Sequence, residues 1–209
     1  MLRILIADDH TVVRKGLRQI LLEEFLAAHI VEVSDADELF KCVLKDEWDV
    51  VITDISMPGR SGLEVVQQIR EHYPKLPILV LSVHPEDQYA IRVIRAGASG
   101  YLNKDSASEE LVKAVHRVLL GKKYITPSLA EQLADSLDQD ASRPLHEHLS
   151  DREFEVLKLL AAGMAVADIA AKLGLSPTTV STYRGRVLEK LNAKSNADLT
   201  RYALENKLI

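Results

Sequence analysis

The sequence predicts an α/β domain built on a parallel sheet, followed by a small all-α domain. Through residue 125, five short apolar runs alternate with stretches whose apolar residues recur at helical spacing. Short runs without polar alternation are typical of strands that are buried on both faces, as in a parallel sheet. From residue 150 onward, the apolar residues keep only the helical period. The first pattern therefore predicts βαβ units, and the second predicts a separate helical domain.

Each predicted strand is followed by a predicted helix. The strands cover residues 2–7, 30–33, 50–53, 78–81 and 100–102, and the helices cover 12–25, 36–45, 63–73, 88–96 and 106–120. Because crossovers between parallel strands are right-handed, few strand orders are available to this pattern. For five strands we expect the flavodoxin-like (βα)5 arrangement, with helices on both faces of the sheet.

The C-terminal region contains clear signals for where its helices begin and end. Ser150 is followed three residues later by Glu153, which is a capping box ahead of an apolar set. A short helix over 166–173 is closed by Gly174, and the next helix has Ser176 as its N-cap and proline in its first position. Two short helices joined by a tight turn predict a helix-turn-helix. A plain helical hairpin with a solvated basic face is the alternative.

The periodic pattern loosens between these two regions. We interpret residues 123–146 as a linker with one short helix over 128–137, because prolines and small polar residues flank that helix. The chain is thus divided into a first domain over 1–122, the linker, and a second domain over 147–209. A length of 209 residues suits one medium domain and one small one.

Composition argues against a membrane protein and a disulfide-stabilised one. No apolar run approaches the ~20 residues that a membrane span needs, and the N-terminus lacks a signal-peptide layout. The single cysteine, Cys42, cannot form an internal disulfide and suits a reducing compartment, so we expect a cytoplasmic protein without a membrane partner. The net charge is −5, yet residues 171–209 carry seven Lys or Arg against three Asp or Glu. Only that end of the chain would attract a polyanion.

Five residues with reactive side chains fall at the ends of predicted strands. Asp8 and Asp9 follow the first strand, and Asp54, Ser82 and Lys104 follow the third, fourth and fifth. Ligands of open parallel sheets bind at the carboxyl ends of the strands. Clustered carboxylates need a neutralising cation, and hard oxygen ligands favour Mg²⁺. A single acidic residue there is an ordinary loop residue, but this coincidence predicts a phosphoryl-transfer site with Asp54 as nucleophile.

The helix that begins at Pro177 separates an apolar face from a face of small polar residues. The side toward DNA and its basic flank are predicted to comprise Thr178, Thr179, Ser181, Thr182, Arg184, Gly185, Arg186, Lys190 and Lys194. The arginines and lysines would contact phosphates, and the small residues leave specificity partly to hydroxyl or methyl contacts and DNA shape. Gly185 costs about 1 kcal/mol in a helix interior. It indicates either a close approach of backbone to DNA or a tolerated surface glycine.

The first region resembles the receiver domains of two-component response regulators. The motifs that carry the resemblance are Asp8-Asp9-His10, residues 53–59, Leu81-Ser82 and residues 100–104. The resemblance implies that a sensor histidine kinase phosphorylates Asp54 and that Ser82 and Lys104 hold the phosphoryl oxygens. It also implies a Mg²⁺ site made by Asp9, Asp54 and the Ser56 carbonyl, with Asp8 assisting through water.

Two further positions bear on how such a receiver would work. The resemblance implies that Tyr101 is the aromatic residue whose rotation reports phosphorylation, while Ser56 and His84 lie where they would tune water access to the acyl phosphate. One departure is Asp105, because many receivers have proline after the lysine. A cis bond costs roughly 3 kcal/mol without proline, which leaves the geometry of this peptide open.

The second region resembles the LuxR-type output domain of NarL/FixJ regulators. The matching segments are residues 149–153, 168–170, 175–180 and 188–191. The resemblance implies that residues 177–191 form the recognition helix in the major groove of double-stranded promoter DNA. It also implies that residues 195–205 form a fourth helix for homodimerisation, through Leu199, Tyr202 and Ala203.

Two other classes of function compete with a phosphorylation-controlled transcription regulator. An Mg²⁺-dependent phosphatase would use Asp54, but its second carboxylate is missing because Ser56 stands two residues later. A protein-interaction adaptor would not need the capped recognition helix and its basic flank. We therefore expect no enzyme beyond autophosphotransfer onto Asp54 and slow self-dephosphorylation.

Overall fold

The computed structural model describes residues 1–57, 62–138 and 144–209, which form two compact units, Met1–Leu137 and Asp138–Ile209. Two residues of the 53–59 motif, Pro58 and Gly59, lie outside the described residues, as does the linker segment 139–143. No helix in the described ranges is both long enough and apolar enough to cross a membrane.

The first unit is a five-stranded parallel sheet with connecting helices, as the sequence predicts. Its elements are β1 Arg3–Ala7, α1 Thr11–Glu24, β2 His29–Val33, α2 Ala36–Lys45, β3 Val50–Asp54, α3 Gly62–His72, β4 Ile78–Ser82, α4 Glu86–Arg95, β5 Gly100–Asn103, α5 Ala107–Leu119 and α6 Pro127–Asp138. The strand order is β2-β1-β3-β4-β5. The flavodoxin-like prediction is confirmed.

The register of the strands brings their carboxyl ends to one edge. Ala7 on β1 pairs with Thr53 on β3, and Ser82 on β4 pairs with Asn103 on β5. All residues of β3 and β4 are buried, because helices cover both faces of the sheet. The residue that follows or ends each of these strands therefore lies beside its neighbours.

The segment after α5 packs on the first unit. Tyr124 forms an isolated parallel bridge with Gly100, and its N–H donates to the Ser99 carbonyl at 2.8 Å. Helix α6 follows, and its residue Leu129 is fully buried. The first part of the predicted linker thus belongs to the first unit, whereas the predicted domain boundaries at 122 and 147 stay predictions.

In its described residues, the second unit contains a short 3-10 helix, Leu145–His148, and four α-helices: α7 Asp151–Ala161, α8 Val166–Leu173, α9 Pro177–Lys190 and α10 Asn196–Glu205. Capping boxes open α7 at Ser150 and α10 at Ser195, and Ser176 caps α9. Gly174 ends α8 with φ of 65°, a left-handed conformation that favours glycine. The predicted helix-turn-helix, α8 and α9, is confirmed.

Candidate functional site

The carboxyl edge of the sheet holds two buried carboxylates around one ammonium. Asp8 and Asp54 are only 1% and 3% exposed. Lys104 Nζ lies 2.6 Å from Asp8 Oδ2 and 2.7 Å from Asp54 Oδ2. The predicted convergence of β1, β3 and β5 on one pocket is therefore present.

Burial and charge act in opposite directions on these groups. Burial raises the pKa of Asp54 above its usual range, although the Lys104 hydrogen bond opposes this shift. Burial alone would lower the pKa of Lys104, but its contacts with Asp54 and Asp8 raise it overall. Two carboxylates thus share one positive charge, and a second cation would stabilise their ionised forms.

The donor set beside Asp54 is suited to a metal ion. Ligand atoms of Asp8, Asp9, His10 and Asp54 all lie within 4.8 Å of one another. Asp8 Oδ2 and Asp9 Oδ1 are buried and accept no well-aligned hydrogen bond from the described residues. The cluster could therefore hold a metal ion. His10, whose Nδ1 lies 2.8 Å from Asp9 Oδ1, is not among the predicted metal ligands, although its place in the Asp8-Asp9-His10 motif is a signal for it.

Residues at the end of β4 surround the other side of Asp54. The Ser82 side chain is fully buried, and its Oγ accepts the His84 N–H at 3.0 Å. His84 Nε2 lies 3.2 Å from Ser56 Oγ, and the Ser56 N–H donates to Asp54 Oδ1 at 3.1 Å. The predicted phosphoryl-binding hydroxyl and the two residues expected to tune water access are therefore grouped around the carboxylate.

Two tyrosines contact His84 and hold it in place. Tyr101 is buried, and its hydroxyl donates to the His84 carbonyl at 2.6 Å. The Tyr89 ring stacks on the His84 imidazole at a centroid distance of 4.4 Å. Tyr89 was missed by the sequence interpretation, because only the fold places α4 against this loop. The Lys104–Asp105 peptide is trans, like every other peptide bond in the described ranges.

Helix α9 presents a continuous polar face to solvent. Val180 and Val187 are buried on its inner side. The exposed residues after the first position, Pro177, are Thr178, Ser181, Thr182, Gly185, Arg186, Glu189 and Lys190. A Cβ added at Gly185 would meet no atom within 4 Å, so packing within this domain does not require glycine there. The packing of the second unit thus leaves this face of α9 exposed.

Four residues of the predicted DNA set have side chains engaged within their own domain. One is Thr182, whose hydroxyl donates to the Thr178 carbonyl at 3.0 Å. Lys190 Nζ lies 2.6 Å from Glu153 Oε2, a buried carboxylate of the α7 capping box. Arg184 Nε donates to Asn196 Oδ1 at 2.7 Å, and the Thr179 hydroxyl lies 2.8 Å from that of Ser176. We therefore assign structural contacts to these four, and the contacts with DNA predicted for the whole set stay predictions.

The contact with Lys190 lowers the pKa of Glu153. Burial raises the pKa of Glu153, but hydrogen bonds from Lys190 and Ser150 outweigh burial and hold that pKa below its usual range. The carboxylate is thus ionised at neutral pH. Lys190 is its charge partner.

Two of the three predicted dimer contacts require correction. Leu199 and Ala203 are fully buried, which leaves them no surface for a second chain. The Tyr202 hydroxyl accepts the His146 N–H at 3.1 Å, but Tyr202 is only half-buried, so its predicted dimer contact stays a prediction. The sequence interpretation assigned the apolar stripe of α10 to a partner, whereas that stripe packs into the domain. The outward side of α10 carries Leu204, which is 60% exposed.

Comparisons with known proteins match both units. Residues 4–116 match the family described as response regulator receiver domain, and residues 147–203 match the bacterial regulatory proteins of the luxR family. The chain is 36% identical to the response regulator UvrY of Escherichia coli K12, over all of this chain and 96% of that protein. It is 38% identical to the oxygen regulatory protein NreC of Staphylococcus carnosus, over all of this chain and 99% of that protein.

Solved structures give a similar result. RcsB from Salmonella enterica serovar Typhimurium, bound to promoter P1flhDC in the presence of the phosphomimetic BeF3⁻, superposes with a TM-score of 0.59 and 32% identity. The alignment covers 96% of this chain and 97% of RcsB. Two RcsB dimers bound to two parallel DNAs match with a TM-score of 0.58 and 32% identity, over 96% of each chain.

Proposed function

The chain belongs to the response regulators that join a receiver domain to a LuxR-type helix-turn-helix domain, and we propose that phosphoryl transfer to Asp54 controls its binding to promoter DNA. It is a transcription regulator rather than a classical enzyme. One observation carries the proposal: Asp54, Lys104 and Ser82 lie at one edge of the sheet, in the same chain as a helix-turn-helix whose second helix, α9, has an exposed polar face. The similarity to RcsB, which binds a promoter in the presence of a phosphomimetic, supports it.

The transfer step uses Asp54 as nucleophile. A carboxylate oxygen attacks the phosphorus of a phosphohistidine on a sensor histidine kinase, the new O–P bond forms, and the P–N bond breaks with the electron pair going to the imidazole. Lys104, now against Asp54 Oδ2, would shift to a phosphoryl oxygen, and the Ser82 hydroxyl would donate to another. Both side chains start beside the carboxylate and need only short movements.

We assign the metal position to Mg²⁺. Asp9, Asp54 and the Ser56 carbonyl would hold the ion, with Asp8 assisting through water, because the set offers oxygen donors and an excess of negative charge. When bound, the ion neutralises charge on the transferring phosphoryl group. The same site would support slow self-dephosphorylation, with Ser56 and His84 positioned beside the incoming water.

The output step uses α9 in the major groove of double-stranded DNA. Thr178, Ser181, Thr182 and Gly185 would face the bases, and Arg186 and Lys194 would contact phosphates. Tight binding to two half-sites favours a homodimer, for which the outward side of α10 is available. The single, partly buried cysteine suits a cytoplasmic setting.

Treatment of the whole chain with acetyl phosphate and Mg²⁺ is expected to change its affinity for promoter DNA by about tenfold or more, the scale of an ordinary allosteric coupling. Fluorescence anisotropy with fragments selected by genomic binding would measure this change. Chain treated with acetyl phosphate and EDTA is the control. Equal affinity before and after confirmed phosphorylation would contradict the proposed control.

Replacing Leu204 with aspartate is expected to weaken dimerisation on DNA without unfolding the domain, because this side chain is largely exposed in the single chain. A charge at the centre of an apolar contact typically costs about 2 kcal/mol or more, which corresponds to a loss of about thirtyfold. Sedimentation of protein–DNA complexes would measure the dimer. Glu205→Gln on the same helix is the control, and an unchanged dimer in Leu204→Asp would place the interface elsewhere.

A further inference from the structure

One hydroxyl joins the start of helix α6 to the start of helix α4. The Thr126 hydroxyl donates to the Glu86 carboxylate and accepts the N–H of Leu129 at 3.1 Å. Both Thr126 and Glu86 are half-buried. Thr126 thus caps the linker helix and at the same time ties it to the loop that leaves β4.

The Glu86 end of this contact is connected to the phosphorylation site. Ser82 ends β4 beside Asp54, and its Oγ accepts the N–H of His84. Glu86 follows His84 after one intervening residue, and the Tyr101 hydroxyl holds the His84 carbonyl. Because so short a tethered segment has little slack, a displacement of Ser82 moves Glu86 as well.

The Thr126 end is anchored to a different part of the sheet. Two residues before it, the Tyr124 N–H donates to the Ser99 carbonyl, and Tyr124 bridges to Gly100 at the edge of β5. The approach is close, because a Cβ at Gly100 would lie 2.8 Å from the Tyr124 Cβ. Thr126 is therefore expected to move with β5, whereas Glu86 is expected to move with the end of β4. If the two segments shift relative to each other, the hydrogen bond between Thr126 and Glu86 is the contact that lengthens or loses its alignment.

We propose that the Thr126–Glu86 hydrogen bond is a latch that holds helix α6 on the first unit at rest and that phosphorylation of Asp54 releases. The trigger rests on the proposed function, since a phosphoryl group adds about −1.5 to −2 charge at neutral pH and draws the Ser82 hydroxyl toward it. Hydrogen bonds weaken steeply with distance and angle, so a modest shift of Glu86 is sufficient. Because the chain continues from α6 into the second unit, release changes the connection between the two units.

Hydrogen–deuterium exchange on the full chain tests the latch. Glu86→Ala removes the acceptor but leaves the Thr126 cap in place, and Glu109→Ala, an exposed acidic residue in the first turn of α5, is the charge-matched control. At rest, Glu86→Ala should raise exchange of the 127–138 amides about fivefold, the equivalent of one ordinary hydrogen bond. Beryllofluoride with Mg²⁺ should raise it similarly in the wild type and have little further effect in Glu86→Ala. Thr126→Ser should behave as wild type.

The outcomes separate the latch from the proposed function. Wild-type exchange of α6 in resting Glu86→Ala, or an equal response to beryllofluoride in both proteins, would overturn the latch. Labelling of Asp54 by acetyl phosphate should be unchanged in Glu86→Ala, because Glu86 does not contact Asp54 in the described structure. If the wild type were not labelled at all, the proposed function would fail, and resting exchange would still decide whether the contact holds α6.

Discussion

Replacing Asp54 with alanine should abolish labelling of the chain by acetyl phosphate, to the background of an unfolded control. Asp54 is the carboxylate that touches Lys104 and approaches Ser82 at the end of the neighbouring strand. Asp8 is also buried and forms an ion pair with Lys104, but it would serve the metal side of the pocket. Labelling followed by mass spectrometry of the acyl phosphate would measure the loss.

The control for this experiment is Asp105→Ala. Asp105 is an exposed aspartate next to Lys104 and lies outside the carboxylate cluster, so its removal should leave the labelling rate within about twofold. Adding EDTA to wild-type protein should reproduce much of the Asp54→Ala defect if Mg²⁺ occupies the cluster. Labelling of Asp54→Ala at the wild-type rate would assign the phosphoryl group to another residue.

Replacing Arg186 with alanine is expected to weaken binding to all DNA sequences and to flatten its dependence on salt. Arg186 is exposed on the polar side of α9, in contrast to Arg184, which donates to Asn196. Loss of one phosphate contact should reduce the slope of log K against log[salt] by about 0.9. Fluorescence anisotropy on specific and unrelated duplexes at several salt concentrations would measure both changes.

Two further variants show whether the effect of Arg186→Ala comes from the loss of a positive charge at this position. Arg186→Lys keeps the charge and should largely retain the salt slope. Lys207→Ala removes the same charge outside α9 and should have little effect. A selective loss on one sequence only, with the slope unchanged, would indicate base recognition by Arg186 instead of phosphate contact.

The fold was largely predictable because the spacing of apolar residues along the sequence distinguishes strands from helices. Buried strands such as β3 and β4 contain apolar residues on both faces, and capping residues such as Ser150 and Ser176 sit at the helix starts. The receiver site was predictable for a related reason: parallel strands place their ends together, so residues far apart in sequence converge.

The parts that were not predictable depend on which neighbour a helix face meets. The apolar stripe of α10 was expected at a dimer interface, but Leu199 and Ala203 pack inside the domain. Lys190 is predicted to contact DNA, and the sequence pattern does not show that the fold also brings an acidic residue 37 positions earlier beside it. Helical periodicity shows that a face is apolar or charged; it does not show what covers that face.

In α9, the residues that anchor the helix are different from the residues that are exposed, and this separation bears on how such regulators acquire new operators. The helix is held by its buried valines, by the Ser176 cap and by the Lys190–Glu153 ion pair near its end. The exposed positions 178, 181, 182 and 185 contribute little to that anchoring. Under the DNA contacts proposed above, changes at those four positions would retarget the protein to another promoter while the scaffold stays intact, and new operators would be acquired without loss of the fold.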